Sequence, residues 1–455
     1  MRLANDPKFP RWVEQVTATG GCAHPIHLTG WTTTRDAATG EILSHYSTRD
    51  EPGERLLVRC RNRRASVCPS CSRLHAGDTF HLVRAGLTGG KTVPPTVRTH
   101  PRLFVTLTAP SFGPVHRAAP DGQRCRPRRE RTECEHGRPQ SCPRIHAQDD
   151  PQAGQPLCPA CYDYTAHVLW HAHAGELWSR LARAVRRYLA TSAGVPQNHF
   201  PRHARLSFAK VAEYQQRAAI HLHAVIRLDG PQGPGDSPPP WGTAQRLIDA
   251  VRGAARRVLV HTPYSPAMGE LALRWGTELD ARPLQAFGGP DGLADDAVAA
   301  YVAKYVTKGA TTTGTTTGLD HRIRDATDID RAPVTPHARA LMLTCWRLGG
   351  LPEFAHLNLQ ASAHTLGYRG HILTKSRVYS TTYAKLRVHR AEYERGAVEL
   401  PAGADVITEA NWRYLGSGHT SGAALIAAEV AQSHVLSREF AREDPAHGVM
   451  RGEAK

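Results

Sequence analysis

Nowhere in the 455 residues does an apolar run approach the roughly 18 residues that a membrane span requires. The opening stretch, MRLANDPKFPRW, lacks the apolar centre of a secretory signal. Both absences lead to the expectation of a soluble, cytoplasmic chain with no membrane partner. In that compartment the ten cysteines are expected as metal ligands or free thiols rather than disulfides. Acidic side chains are also scarce: 41 Asp and Glu against 57 Lys and Arg leave a net charge of +16 and a pI near 9.7. Such an excess favours polyanions, nucleic acid foremost, through phosphate contacts and counterion release. The competing reading is an arginine-rich solvated surface. No internal repeat with a period of roughly 20–50 residues is present, which excludes a solenoid.

A phosphate-binding loop is missing in its proper context. Residues 85–92, AGLTGGKT, loosely fit the pattern, but they follow the helix-like DTFHLVRAGL and run into VPPTV. A P-loop follows a strand and opens a helix, so ATP binding is not expected.

The chain is expected to be α+β and to divide four ways. Residues 1–100 are a Cys-rich, zinc-ribbon-like region, and 101–309 a catalytic domain with an inserted Cys/His cluster at about 125–161. Residues 310–334 are a linker, and 335–455 a mainly helical module suited to DNA. HAQDDPQAGQP (146–156), PQGPGDSPPPWG (231–242) and ATTTGTTTGLD (310–320) read as loops or linkers. LFVTLT (103–108) alternates as a strand does, 167–189 is helical, and TAQRLIDAVRGAARRVLV is a basic amphipathic helix. LSFAKVAEY (206–214) and AAIHLHAVIRL (218–228) are two strands joined by a short turn, a β-hairpin.

Two histidines interrupt the second of these strands. Strand alternation turns His221 and His223 to one face and Ile220, Leu222 and Ala224 to the other. Glu213 and His221 have residue 217, inside the turn, as their midpoint, so they are expected across from one another. Two imidazoles and a carboxylate on one face suit a divalent cation such as Mg²⁺ or Mn²⁺ with open coordination positions; zinc accepts the same donors. Further on, DDAVAAYVAKYVTKGA forms a helix that Gly309 is placed to end. With Tyr301 at zero, Lys304 falls at about −60°, Tyr305 at about +40° and Lys308 at about −20°, a single arc. Ala299, Val302, Ala303 and Val306 form a different face that can pack on a sheet. A phenol needs a cation beside it to attack as phenolate, and a lysine also neutralises a phosphate under attack.

The ordered set TLT (106–108), HLH (221–223) and YVAKY (301–305) resembles the HUH endonucleases that initiate rolling-circle replication, and the paired tyrosines resemble the phage-type members. FVTLTAPSFGPVH, LCPACYDYTAHVLW and WRLGGLPEFAHLNL are similar to replication initiators of actinobacterial, Streptomyces-type integrative and conjugative plasmids, a likeness running from Cys22 to about Arg390. The resemblance implies an HUH-type antiparallel sheet with flanking helices. It implies a catalytic metal on His221 and His223, with Glu213 as the third ligand. Tyr305 or Tyr301 would attack origin DNA, leaving a 5′-phosphotyrosine and a 3′-OH that primes the host polymerase, and unwinding would fall to a host helicase. Relaxases and transposases share HxH and tyrosine, but relaxases commonly place the tyrosine first. A zinc-containing DNA-binding regulator would explain the charge and the cysteines, and would leave HLH and YVAKYVTK without purpose.

Cys60, Cys68 and Cys71 form C-x7-C-x2-C, a zinc-ribbon-like knuckle completed by Cys22 in preference to His75. Cys125, Cys134, Cys142, Cys158 and Cys161, interleaved with His136 and His146, exceed one tetrahedral site, and their assignment stays open. Cys345 reads as core. Residues 362–396, rich in Arg, Lys, Tyr and His, suit phosphate contacts and stacking.

Overall fold

The computed structural model describes residues 7–118, 122–128, 132–284, 295–307, 319, 322–395 and 405–443. Two compact units emerge, Met1–Asp78 with Tyr383–Lys455, and Thr79–Thr382. In chain order come α1 (Phe9–Ala18), β1 (Ile26–Asp36), β2 (Ile42–Ser47), β3 (Leu56–Val58) and α2 (Pro69–Thr88). The second unit then supplies β4 (Arg102–Leu107), α3 (Tyr164–Ser192), β5 (Arg205–Tyr214), β6 (Ile220–Asp229) and α4 (Ala244–Arg257). It continues through β7 (Leu259–His261), β8 (Ala272–Arg274), β9 (Leu279–Pro283) and α5 (Asp295–Thr307). It closes with α6 (Ala326–Arg331), α7 (Pro336–Gly349) and β10 (Leu373–Lys375). The chain returns to the first unit with α8 (Tyr383–Arg395), β11 (Val406–Ser417) and α9 (Ser421–Glu443).

This division differs from the four-segment expectation. Residues 335–382 belong with the second unit, and residues 383–455 belong with the N-terminal region. The cause is long-range strand pairing: β11 runs antiparallel to β1 from Ile26↔Ser417 to Asp36↔Val406. At Gly30 a Cβ would collide with the Asn411 carbonyl, so only glycine permits the two backbones to approach there. β11 is largely exposed, so its sequence shows little of the alternation that marks a half-buried strand.

The second unit is built on an antiparallel sheet ordered β10-β5-β6-β4-β9. Leu103, Val105 and Leu107 of β4 and Leu222, Ala224, Ile226 and Leu228 of β6 share one apolar face. Against it lies α3, whose buried Leu169, Leu177, Leu181, Val185 and Leu189 recur at helical spacing. Asp163 caps α3 by accepting from Ala166 N at 2.8 Å. The fully buried Trp170 donates its indole N–H to the Arg274 carbonyl at 2.8 Å. Residues 85–92 are the end of α2 and a turn, in keeping with the rejected nucleotide loop.

The sheet's other face mixes apolar residues with buried polar groups. Arg227, fully buried, donates to Asp229 at 2.6 and 3.0 Å, and Asp229 also receives Ser207 and pairs with His100. Next to it Arg102, 1% exposed, donates to both Asp295 oxygens at 2.8 and 2.9 Å and to the Leu87 carbonyl. Asp295 is the first residue of α5, where a carboxylate also meets the positive end of the helix dipole. Burial pushes the Asp295 carboxyl up, and the Arg102 hydrogen bond opposes it. Ala299, Val302, Ala303 and Val306 are buried, as their helical spacing predicts, and α5 packs on β5.

Removing one partner of a buried pair strands the other charge. Asp295→Ala should therefore cost about 3–5 kcal/mol in urea unfolding. Asp296→Ala removes only the exposed Arg84 pair and should cost roughly 0–1 kcal/mol. Equal small losses in the two variants would show that Arg102 does not anchor the helix.

Candidate active site and metal centres

Strand alternation delivers the histidines as expected: Ile220, Leu222 and Ala224 enter the core and His223 lies on the opposite face. The hairpin register pairs Glu213 with His221 and Val211 with His223. The Glu213 carboxylate nevertheless reaches diagonally, its Oε2 lying 2.9 Å from His223 Nε2. The Tyr301 hydroxyl, from α5, donates to the same Glu213 oxygen at 3.4 Å and lies 3.2 Å from His223 Nε2. Thr106 on β4 stands 3.0 Å from His223 Nδ1 and fixes the ring from behind. In the tautomer whose Nε2–H faces Glu213, the Thr106 hydroxyl donates.

Phe104, two residues earlier on β4, lies parallel to His223 at 5.9 Å and edge-on to Tyr301 at 5.8 Å. Its role was not read from the sequence, although the period of two that unites 104 and 106 on one face was available. His221 stands beside the cluster, its ring centroid 5.9 Å from that of His223. Burial, then the neighbouring His223 and Arg217, lower its pKa to about 3, so the imidazole is a neutral lone-pair donor at physiological pH. The donor atoms of Glu213, His221 and His223 do not all fall within 4.8 Å of one another. Lys304 is exposed on α5. The Tyr305 side chain, Lys308 and Gly309 lie outside the described residues.

Three other groups do bring four donor atoms within 4.8 Å. Cys22, Cys60, Cys68 and Cys71 converge in the first unit, the set expected from the knuckle. His75 stacks on Tyr383 at 4.8 Å instead. The open assignment of the second group resolves into two clusters, His116 with Cys125, Cys142 and His146, and Cys134 with His136, Cys158 and Cys161. His116 was missed, because it lies nine residues ahead of the nearest cysteine, outside any knuckle spacing.

The distances fit zinc. With Zn–S of about 2.3 Å and Zn–N of about 2.0 Å, a tetrahedron has edges of about 3.8 Å between sulfurs, about 3.5 Å between sulfur and nitrogen and about 3.3 Å between nitrogens. Cys22 lies 3.8 and 3.6 Å from Cys68 and Cys71. His146 Nε2 lies 3.4 Å from Cys142 and 3.2 Å from His116 Nδ1, and His136 lies 3.2 Å from Cys161. Asp150 meets the remaining nitrogen of His146 at 2.7 Å, the carboxylate–histidine arrangement common behind metal ligands. Backbone N–H groups of Ala23, Cys60, Asn62 and Arg117 donate to cysteine sulfurs at 3.2–3.5 Å, as thiolates require. The sulfur–sulfur hydrogen bond pushes the Cys22 thiol up to about 12 and holds Cys68 well below its ordinary value, so four thiolates need a cation to coexist.

The segment between β4 and α3, which carries the two Cys/His clusters, is tied to the β5–β6 hairpin. Arg217 in the turn donates to the carbonyls of Pro110 and Ala109 at 2.8 and 3.0 Å, and Gln216 donates to that of Gln148 at 2.8 Å. Elemental analysis of natively purified protein is expected to give close to three zinc ions per chain, dropping by one in Cys142→Ser with His146→Ala. A content of one or less would return the insertion cysteines to free thiols.

Among known proteins, the family described as "Replication initiator protein, pSAM2" (RepSA) matches residues 8–432. A replication initiator protein of Streptomyces ambofaciens is 46% identical over 453 residues, covering 97% of this chain and 94% of that one. No solved structure matches. No helix among the described residues is long and apolar enough to cross a membrane. The family match over residues 8–432 and the 46% identity over nearly the full length make this chain a member of the pSAM2 replication initiator family.

Proposed function

We propose that this initiator cuts one strand of its plasmid origin by the HUH mechanism, with Tyr301 or Tyr305 as nucleophile. The observation that carries the reading is the convergence of Tyr301, His223 and Glu213 within 3.4 Å from three separate elements. Tyr301 loses its phenolic proton to Glu213 or His223, and the phenolate oxygen attacks the scissile phosphorus. The bond to the 3′ oxygen breaks, and that oxygen takes up a proton to leave a 3′-OH opposite a 5′-phosphotyrosine. Mg²⁺ or Mn²⁺ bound by His221, His223 and Glu213 would supply Lewis-acid polarisation of the phosphate. The 2.9 Å separation of Glu213 and His223 suits adjacent ligands of such an ion. Lys304 and Lys308 are proposed to support charge on the phosphate and the phenolates. Tyr305 is the reserve nucleophile for the second cut that closes a replication round. Zinc in the three clusters is structural.

Origin recognition is proposed for the first unit. Arg59, Arg61, Arg387 and Arg390, with the stacked His75 and Tyr383, line a groove of about 360 Å³ there. Host helicase and polymerase are the expected partners downstream.

Nicking of supercoiled origin plasmid with divalent metal tests the reading. His221→Ala with His223→Ala should lower the rate by about 10²–10⁴-fold while origin binding persists. Tyr301→Phe and Tyr305→Phe should each retain part of the activity on single-stranded origin DNA, and the double variant none. Wild-type cleavage by the histidine double variant would refute the assignment, and a DNA-binding regulator would give no nick at all.

A further inference from the structure

Helices α3 and α4 cover the face of the sheet opposite to His223, and their inward sides are apolar. Their outward sides are basic. Arg183, Arg187, Arg252, Arg256 and Arg257 are exposed, and Arg180, Arg186 and Arg246 are half-buried. Only two carboxylates accompany these eight arginines on the two helices, and both are engaged: Glu176 receives Arg180 at 2.6 Å, and Asp249 receives Gln245 at 3.0 Å. Arg180, Arg187 and Arg257 face one another across a groove of about 710 Å³ between the helices, which Ser192 and Gln197 also line. Gly253 permits this approach, since a Cβ there would come within 3.0 Å of the Tyr188 ring. On the far side of α4 a second groove of about 260 Å³ is lined by Arg252, Arg256 and Arg274.

We propose that this arginine face is a docking surface for the phosphate backbone of duplex DNA, separate from the cutting face and from the first unit. It rests on the reading of the chain as a DNA-handling initiator. Charge complementarity selects a polyanion, because Glu176 pairs with Arg180 and Asp249 is the one further carboxylate on the two helices, which leaves seven other guanidiniums in strong excess. Burial lowers the pKa of Arg186 with no carboxylate opposing it, a cost that a phosphate would offset. Duplex is favoured over single strands because no aromatic side chain on either helix is exposed. Trp170 and Trp178 are buried, and the one aromatic ring that borders the groove, Tyr188, is half-buried, so the face lacks the succession of exposed rings on which unpaired bases stack. Contacts confined to phosphates carry no sequence information, so the face would hold any duplex flanking the nick.

The test is fluorescence anisotropy of the full chain with labelled duplex of unrelated sequence, across a salt series. In Arg187→Gln/Arg252→Gln/Arg257→Gln the slope of log K against log salt should become shallower by about 2.7, at about 0.9 per phosphate contact. Nicking of single-stranded origin oligonucleotide should stay at the wild-type rate. The same three positions changed to Lys should keep most of the duplex affinity, since charge rather than fork geometry is at work. An unchanged slope in the glutamine variant overturns the proposal, as does a loss of single-stranded rather than duplex binding. Loss of nicking together with duplex binding also overturns it, because the face would then be acting through the sheet. Absence of nicking in the wild-type chain would count instead against the nuclease reading, with the duplex measurement still decisive for this one.

Discussion

The buried contact between Arg102 and Asp295 is the constraint on which the site's geometry depends. It joins β4, which also carries Phe104 and Thr106, to the first turn of α5. Tyr301 comes six residues later, about 9 Å along the helix axis, and this span sets its hydroxyl beside His223. The apolar side of α5 lies on the sheet at Ala299, Val302 and Ala303, so the helix cannot roll without exposing them. Tyr301 is thus positioned by a charge at one end of its helix and packing along its length, while Thr106 and Glu213 fix the imidazole it meets.

The proposed zinc sites would play the corresponding part where no core is available. Residues between β4 and α3 contain little regular structure, yet they hold two four-donor clusters and rest against the turn of the β5–β6 hairpin. Arg217 in that turn also offers its carbonyl to the buried His337 of α7 at 3.1 Å. The hairpin that carries Glu213 and His221 is thereby held from both the insertion and the helical layer. Metal ligation would substitute there for apolar burial, since a loop of arginines, prolines and histidines has little to bury.

Much of this was legible in the sequence because the signals were local. The hairpin centre at 217 gave the Glu213–His221 register, the leucine spacing of α3 marked its inward face, and two C-P-x-C knuckles marked two of the three four-donor clusters. What was hidden depends on contacts distant in sequence. His116 joins its cluster across nine residues without a motif, and β11 finds β1 nearly four hundred residues away with scarcely an alternating face. The diagonal reach of Glu213 to His223 is a side-chain choice that register alone does not determine. The C-terminal region was expected to be mainly helical, and the strand β11 within it escaped that reading because it is exposed on both faces.

The central claim is that the tyrosines of α5 meet DNA at His223 and Glu213. It is tested most directly by trapping the protein–DNA adduct on single-stranded origin oligonucleotide with divalent metal and mapping the modified peptide by mass spectrometry. The account predicts a 5′-phosphotyrosyl group on Tyr301 or Tyr305. An adduct on any other residue, or none under conditions in which the origin is cut, would contradict it.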